Sequence, residues 1–173
     1  YNVQIIGVAA DAIKRGEDRI IFKETMAKIG VDVPASEPAV TVEEAEAIAR
    51  KMGYPVVLRP AYTMGGTGGD IAYNVEELRT IVRRGIAASL IGQVLVEECV
   101  LGWEELELEV VRDNEGNKIT VCFIENVDPM GVHTGDSFCV APMITVPEKL
   151  QQRLQEVAYK IVEAIGVIGG TNV

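Results

Sequence analysis

Val-Val-Leu-Arg-Pro-Ala-Tyr-Thr-Met-Gly-Gly-Thr-Gly-Gly-Asp, residues 56–70, decides how the rest of this chain is read. An apolar strand candidate, Tyr54–Arg59, ends in an arginine and passes through Pro60 into a loop with four glycines in the five residues 65–69. Asp70–Tyr73 then reads as a second strand. Such a loop presents closely spaced backbone N–H groups with no side chains in the way, which suits phosphate oxygens. Arg59 at the strand end offers a bidentate phosphate partner. A hairpin tip in which glycine merely supplies positive φ is the alternative, and spacing alone leaves both open. The loop is not a Walker A loop, because no Lys follows the glycines, nor a dinucleotide fingerprint, because no helix does.

Outward from this loop, periodicity and end signals place four helices. The first spans about Glu17 to Ile29, with Phe22, Met26 and Ile29 on one face and Gly30 as its cap. The second follows Thr41-Val42-Glu43-Glu44, a capping box, and carries Ala45, Ile48, Ala49 and Met52 on one stripe before Gly53. The third opens at Asn74 with Glu77 three residues on, and buries Leu78, Ile81 and Val82. The fourth starts near Pro147, with a stripe from Leu150 to Ile165 closed by Gly166. Gln93–Glu97 is a further strand. Glu105–Arg112 alternates, with Leu106, Leu108 and Val110 opposite Glu105, Glu107 and Glu109, so one face is buried and the other is wet or faces a site. The turn Asp113-Asn114-Glu115-Gly116-Asn117 joins it to Lys118–Glu125 as an antiparallel hairpin. Strands interleaved irregularly with helices predict an α+β fold in two lobes, divided near Glu97–Trp103.

Two more segments hold candidate chemistry. Val96-Glu97-Glu98-Cys99-Val100-Leu101-Gly102-Trp103-Glu104-Glu105 sets an acidic pair at a strand end before an apolar connector. Backbone groups of such a connector suit a base edge and a carboxylate suits ribose hydroxyls, although a solvated loop with one structural Trp has the same composition. Asn126–Ser137 is a Pro- and Gly-containing loop that holds the chain's single His, His133, with no nucleophile and orienting acid to make it a catalytic triad. Arg19 reads as solvent-facing. The acidic face of Glu107 and Glu109 reads as a wet sheet face before it reads as a cation site.

Composition narrows the class. The 173 residues suit one domain of ordinary size, and 48% hydrophobic residues supply a core. No apolar run is long enough to span a bilayer, and no basic, apolar leader supports secretion. With 16 Lys and Arg against 26 Asp and Glu, the charge of −10 argues against nucleic acid as a partner but not against a small anion in an Arg-lined pocket. Cys99, Cys122 and Cys139 form no metal-ligand pattern and read as reduced thiols of a cytosolic protein. The start at Tyr1, in what reads as a strand tail, and the end at Gly169-Gly170-Thr171-Asn172-Val173 predict a piece of a longer polypeptide.

Taken together, EDRIIF (17–22), VVLRPAYTMGGTGG (56–69), VEECVLGWEELELEVVRD (96–113), IENVDPMGVHTGDSFCVAP (124–142) and GVIGGTNV (166–173) resemble an ATP-grasp domain, most closely those of the carbamoyl phosphate synthetase large-subunit family. The GVHTGDS string is similar to the first of that family's two such domains, which phosphorylates bicarbonate to carboxyphosphate. The resemblance implies a tail and connecting helix over 1–29, a small lid lobe over 30–97 and an incomplete larger antiparallel-sheet lobe over 98–173. It implies that Arg19 and Arg59 contact nucleotide phosphates and that Gly65 and Gly66 belong to the phosphate loop. It further implies that Glu98, Val100 and Leu101 hold adenine and ribose, that Glu105 is a nucleotide-site carboxylate, and that Gly131, Val132 and His133 close the ribose and phosphate side. ATP with Mg²⁺ or Mn²⁺, bicarbonate and ammonia follow as cofactors and substrates, a glutamine-hydrolysing small subunit as partner, and pyrimidine and arginine biosynthesis as setting. The family's metal ligands, a Gln and a later Glu and Asn, fall beyond Val173, so the 173-residue chain alone is expected to be inactive. A biotin carboxylase-like ligase would use the same Gly-rich loop and acidic connector. A non-catalytic nucleotide-binding or assembly module is the alternative outside enzymes.

Overall fold

A computed structural model describes residues 5, 7–63, 68–133 and 136–173. In chain order its elements are α1 (Ala10–Glu17), α2 (Arg19–Lys28), β1 (Ser36–Ala39), α3 (Val42–Met52), β2 (Val56–Pro60), β3 (Asp70–Ala72), α4 (Val75–Ala88), β4 (Val94–Glu98), β5 (Leu106–Arg112), β6 (Lys118–Asn126), β7 (Cys139–Val140), α5 (Glu148–Ile165) and β8 (Gly169–Asn172). The fold is α+β, and it divides into two units: residues 34–100, and residues 1–33 together with 101–173.

Within residues 34–100, four strands pair antiparallel in the order β1-β4-β2-β3. The end signals read in the sequence start both helices. Thr41 accepts a hydrogen bond from Glu44 N at 3.1 Å while the Glu44 carboxylate accepts from Val40 N at 2.9 Å. Asn74 accepts from Glu77 N at 2.9 Å while Glu77 accepts from Tyr73 N at 2.8 Å. In both boxes the glutamate reaches one residue past the cap, so the strand-to-helix corner itself is pinned. α3 and α4 bury Ala45, Ile48, Ala49, Leu78, Ile81 and Val82 against Val56, Leu58, Val94 and Val96 of the sheet. Gly85 on α4 lets the helix approach β4: a Cβ there would lie 2.7 Å from Val94 Cγ1 and 3.3 Å from Pro60 Cγ.

In the other unit the strand order is β7-β6-β5-β8, again all antiparallel. The hairpin expected from Asp113–Asn117 forms, closed by Asn117 N donating to Asp113 Oδ1 at 2.8 Å. Its register slips between Glu109 and Val110, which face Cys122 and Thr120, so Val121 is the extra residue of a bulge. Leu108 and Val110 point to the core with Met26, Ala158, Val162 and Ile165. The α5 stripe is buried only over its later turns, since Leu150 at its start is 38% exposed.

One helix start is corrected, and α1, β1, β7 and β8 are elements that the sequence reading does not assign. The helix expected over about Glu17 to Ile29 is α2, and it starts at Arg19 because Asp18 is extended (φ −80°, ψ 111°) and accepts from Ile20 N and Ile21 N as its cap; α1 ends just ahead of it. Asp competes with the helix for its own backbone donors, and here it starts α2 at Arg19. β1 carries Pro38, which weakens any strand pattern but is tolerated because β1 lies at the sheet edge. β8 contains Gly169 and Gly170 and shows no strand propensity; pairing with β5 makes it a strand.

Replacing Gly85 by Ala should destabilise residues 34–100 by about 1–3 kcal/mol, because Val94 is fully buried and has nowhere to move. Urea unfolding measures this. A gain in stability, as helix propensity alone would give, would contradict the packing described.

Candidate functional site

The connector after β4 and the loop after β6 are held together by their backbones. Gly102 N donates to Met130 O at 2.9 Å, and Met130 N donates to Trp103 O at 2.8 Å. Gly131 follows with φ +87°, and a Cβ on it would lie 2.2 Å from Leu101 Cδ1. Leu101 therefore fills the volume that any other residue at 131 would need. Val132 N donates to Pro129 O at 3.0 Å, which turns the chain, and His133 takes a left-handed conformation at φ 49°. The His133 ring Nδ1 lies 3.2 Å from Asp128 Oδ2, and the same oxygen accepts from Phe138 N at 3.4 Å. The structure thus brings Leu101 and Gly131 into contact and puts Val132 and His133 on the same anchored loop. Asp128, which orients the histidine, was not singled out in the sequence; its signal is an acid five residues before the chain's only His.

The remaining candidates divide between the units. Arg59, on β2, places Nε 2.7 Å from Glu97 Oε2 of the neighbouring strand β4. That ion pair orients the guanidinium along the sheet edge of the Gly-rich loop. Glu98 ends β4, where Oε2 accepts from Ala35 N at 3.0 Å, and Val100 closes the segment, half-buried. Gly65 and Gly66 lie outside the described residues. Gly68, at the far shoulder of the same loop, has φ +83°, and a Cβ there would meet Ala88 Cβ at 3.0 Å, so packing against α4 requires glycine at this position. Arg19 is the first residue of α2 and is exposed. Glu105 immediately precedes β5, and its carbonyl accepts from Asn126 N at 3.0 Å.

The open face of β5 is more structured than a wet sheet face. Asn172 Nδ2 donates to Glu107 Oε2 at 2.8 Å and to Glu109 Oε1 at 2.9 Å, while Asn126 Nδ2 donates to Glu107 Oε1 at 2.6 Å. Among the described residues no group of three His, Cys, Asp or Glu side chains is arranged to hold a metal ion. The two carboxylates here are bound to amides instead. A cavity of about 380 Å³ opens near the end of β6, lined by Glu104, Leu106, Glu125, Asp128, Val140 and Thr145 among others. None of the residues expected to bind nucleotide lines it. One of its walls is Glu125, whose carboxylate accepts from the Thr145 hydroxyl and from the backbone N–H groups of Thr145 and Ile144, each at 3.0 Å for the two amides. The Thr145 hydroxyl first, and then these amides, hold the Glu125 carboxyl below its usual range.

The chain is similar to known proteins across its whole length. The family model described as carbamoyl-phosphate synthase L chain, ATP binding domain, matches residues 18–173. The chain is 59% identical over its full length to the carbamoyl phosphate synthase large chain of Archaeoglobus fulgidus, of which it spans 16%. It is 54% identical, again over its full length, to the "carbamoyl phosphate synthase large chain, N-terminal section" of Methanopyrus kandleri, spanning 31% of that protein. Among solved structures it is similar to a biotin carboxylase–ATP complex from Campylobacter jejuni, with a TM-score of 0.83 and 26% identity, over 99% of this chain and 39% of that one. It is also similar to the biotin carboxylase domain of a Hydrogenobacter thermophilus carboxylase in complex with MgADP, ADP and bicarbonate, with a TM-score of 0.67 and 25% identity over 88% of this chain and 34% of that one. No described helix is long and apolar enough to cross a membrane.

Gly131→Ala combines a left-handed φ with a collision against Leu101, so it should cost about 1–2 kcal/mol for the backbone conformation alone. It should also shift the emission of Trp103, whose carbonyl is bonded to Met130. An unchanged spectrum and stability would refute the clamp. Glu125 carries a pH expectation. A carboxyl depressed on folding stabilises the fold above its unfolded value, near 4.5, and loses that contribution as pH falls through the folded value. Glu125→Gln should therefore flatten the acid limb of a stability–pH curve and leave its slope above pH ~6 unchanged.

Proposed function

Because this chain belongs to the carbamoyl-phosphate synthase L chain ATP-binding domain family, we propose that it forms part of the ATP site at which such a ligase phosphorylates bicarbonate. The observation that carries this reading is the full-length match to a protein named as the N-terminal section of the large chain. It favours the first ATP site over the second, in agreement with the GVHTGDS string at residues 131–137. The bicarbonate and MgADP held by a structural relative suit the same chemistry.

In this reading Arg19 and Arg59 draw charge from the nucleotide phosphates, and the N–H groups of Gly65 and Gly66 cradle their oxygens. Arg59 is pre-oriented for that task by Glu97. Glu98, Val100 and Leu101 hold ribose and adenine. Gly131, Val132 and His133 cover the ribose and phosphate side, with the imidazole steered by Asp128. Glu105 faces the nucleotide from the start of β5. A bicarbonate oxygen attacks the γ-phosphorus, the bond to the β–γ bridging oxygen breaks, and ADP leaves with that electron pair. Ammonia then attacks the carbonyl carbon of carboxyphosphate, phosphate departs, and carbamate remains. Magnesium would offset the charge of the phosphate oxygens, and no group of three His, Cys, Asp or Glu side chains among the described residues is arranged to hold it. The protein groups named here supply positioning and electrostatic stabilisation, which is most of what a phosphoryl transfer asks of an enzyme. A glutamine-hydrolysing partner subunit as the ammonia source, and a reducing cytoplasm that keeps Cys99, Cys122 and Cys139 as free thiols, belong to the same reading.

The test is ADP release from ATP, with and without bicarbonate. It is run on a chimera in which this chain replaces the matching 16% of the Archaeoglobus fulgidus large chain. Bicarbonate should stimulate release, biotin should have no effect, and Arg59→Ala should lower the stimulated rate by roughly tenfold to a thousandfold, the scale of losing one positioned charge donor. No stimulation by bicarbonate would overturn the proposal, and dependence on biotin would transfer it to the carboxylases.

A further inference from the structure

The strand that carries Arg59 ends on an irregular rung. β2 and β4 pair antiparallel from Val56 with Glu98 to Pro60 with Val94, so Ala61 and Gln93 come next in register. Ala61 N donates to Gln93 O at 2.9 Å, which is one half of that rung. In a regular ladder the other half is Gln93 N donating to Ala61 O. Here a hydroxyl stands between the two: Gln93 N donates to Ser89 Oγ at 3.2 Å, and Ser89 Oγ donates to Ala61 O at 2.8 Å. A serine hydroxyl has one proton to give and two lone pairs to accept with, and the second lone pair takes Ile91 N at 3.4 Å. The rung is wedged open on one side only, and the chain turns there, with Tyr62 left-handed at φ 55°. A bulky side chain adopts that conformation only where its surroundings over-determine it. Ala61, tied at both backbone groups, holds one side of Tyr62, and Thr63 Oγ1, donating to Pro60 O at 3.4 Å, holds the other.

Both described shoulders of the Gly-rich stretch rest on the last turn of α4. A Cβ on Gly85 would lie 3.3 Å from Pro60 Cγ, and one on Gly68 would lie 3.0 Å from Ala88 Cβ. Ser89 ends the same turn, extended at φ −75° and ψ 132° while its N–H still donates to Gly85 O. Apolar contact fixes how close the shoulders lie, and a directional bond fixes where the chain heads next. Packing does little for the Ser89–Gly92 turn itself, since Leu90 is 85% and Ile91 55% exposed. Resting on the reading of Arg59 and the glycines after it as the phosphate side of the ATP site, we infer that Ser89 is a positioning residue for that site. Its hydroxyl, inserted in the last rung between β2 and β4, sets the heading on which the chain leaves Arg59 and keeps Tyr62 left-handed. Pro60 has no N–H to give, so Ala61 is the first residue after Arg59 that can be tied at both groups. Nothing in the sequence signals this role, because Ser89 follows a helix and stands 28 residues from Ala61 in the chain.

The experiment uses the chimera described above, with bicarbonate-dependent ADP release as the readout. Ser89→Ala should lower kcat/KM for ATP by roughly ten- to hundredfold, the scale of a displacement transmitted to a positioned group. Ser89→Thr keeps the hydroxyl and suits an extended backbone, so it should stay within about threefold of the unsubstituted chimera. Glycine adopts a left-handed turn at no steric cost, so Ser89→Ala/Tyr62→Gly should be at least about fivefold faster than Ser89→Ala alone. A role confined to stability gives the opposite sign, because that glycine would only loosen the chain further. The thermal midpoint of Ser89→Ala should fall by no more than about 3 °C, as for the loss of one hydroxyl's hydrogen bonds. An unchanged kcat/KM in Ser89→Ala, a threonine variant as slow as the alanine one, a double variant slower than Ser89→Ala, or a loss that tracks a fallen midpoint would each overturn the inference. If the unsubstituted chimera releases no bicarbonate-dependent ADP, the functional reading falls and takes the positioning role with it. If it does release ADP and the variants fail as described, only the role of Ser89 falls.

Discussion

The pair of backbone hydrogen bonds that ties Gly102 and Trp103 to Met130 is the constraint on which the candidate site depends. Two segments with no regular secondary structure, separated by more than a hairpin in sequence, become one surface because each satisfies the other's backbone groups. Once they are joined, Leu101 lies where a side chain at position 131 would have to go. The left-handed turns at Gly131 and His133 follow, and they aim the histidine at Asp128. The family's GVH string is then a statement about volume as much as about chemistry: glycine makes room for the connector, and the next two residues inherit their directions from it.

The two faces of β5 express the same division of labour. Its inward residues, Leu108 and Val110, meet α5 and Met26 in a core with hardly any solvent access. Its outward residues, Glu107 and Glu109, would repel one another on a bare strand; the Asn172 amide bridges them, and Asn126 donates to Glu107 from the other side. Neutral amides leave the net charge of that face unchanged while fixing its geometry. A patch of this kind stays electrostatically available to a cationic or proton-bearing group while its side chains are already ordered, so little rotamer entropy remains to be lost on binding.

Local signals carried much of the fold. Thr41 with Glu44 and Asn74 with Glu77 start helices where the capping pattern says they should, because a cap needs only residues three apart. The Asp113–Asn117 turn closes the hairpin for the same reason. Non-local elements were illegible. β1 and β8 contain Pro38, Gly169 and Gly170, residues that propensity counts against a strand, and they exist because β4 and β5 offer unpaired edges. The start of α2 one residue after Asp18 is decided by that carboxylate, which accepts from Ile20 N and Ile21 N.

The sequence by itself determined the fold class, the family and the identity of residues such as Arg59, Leu101 and His133 as candidates, since each rests on a contiguous string or a short-range pattern. Only the tertiary structure decided which of them meet. That Gly131 is glycine because of Leu101, that His133 answers to Asp128, and that Arg59 is held by Glu97 are contacts made across a loop or between strands. The alliance of Asn126 with Glu107, Ser137 and Cys139 is the clearest case: three strands must be in register before those atoms come within 2.6–3.1 Å. Hydrogen bonds of that length act only between neighbours in space, and the hydrophobic periodicity that a sequence displays says which face a residue takes, not whom it finds there.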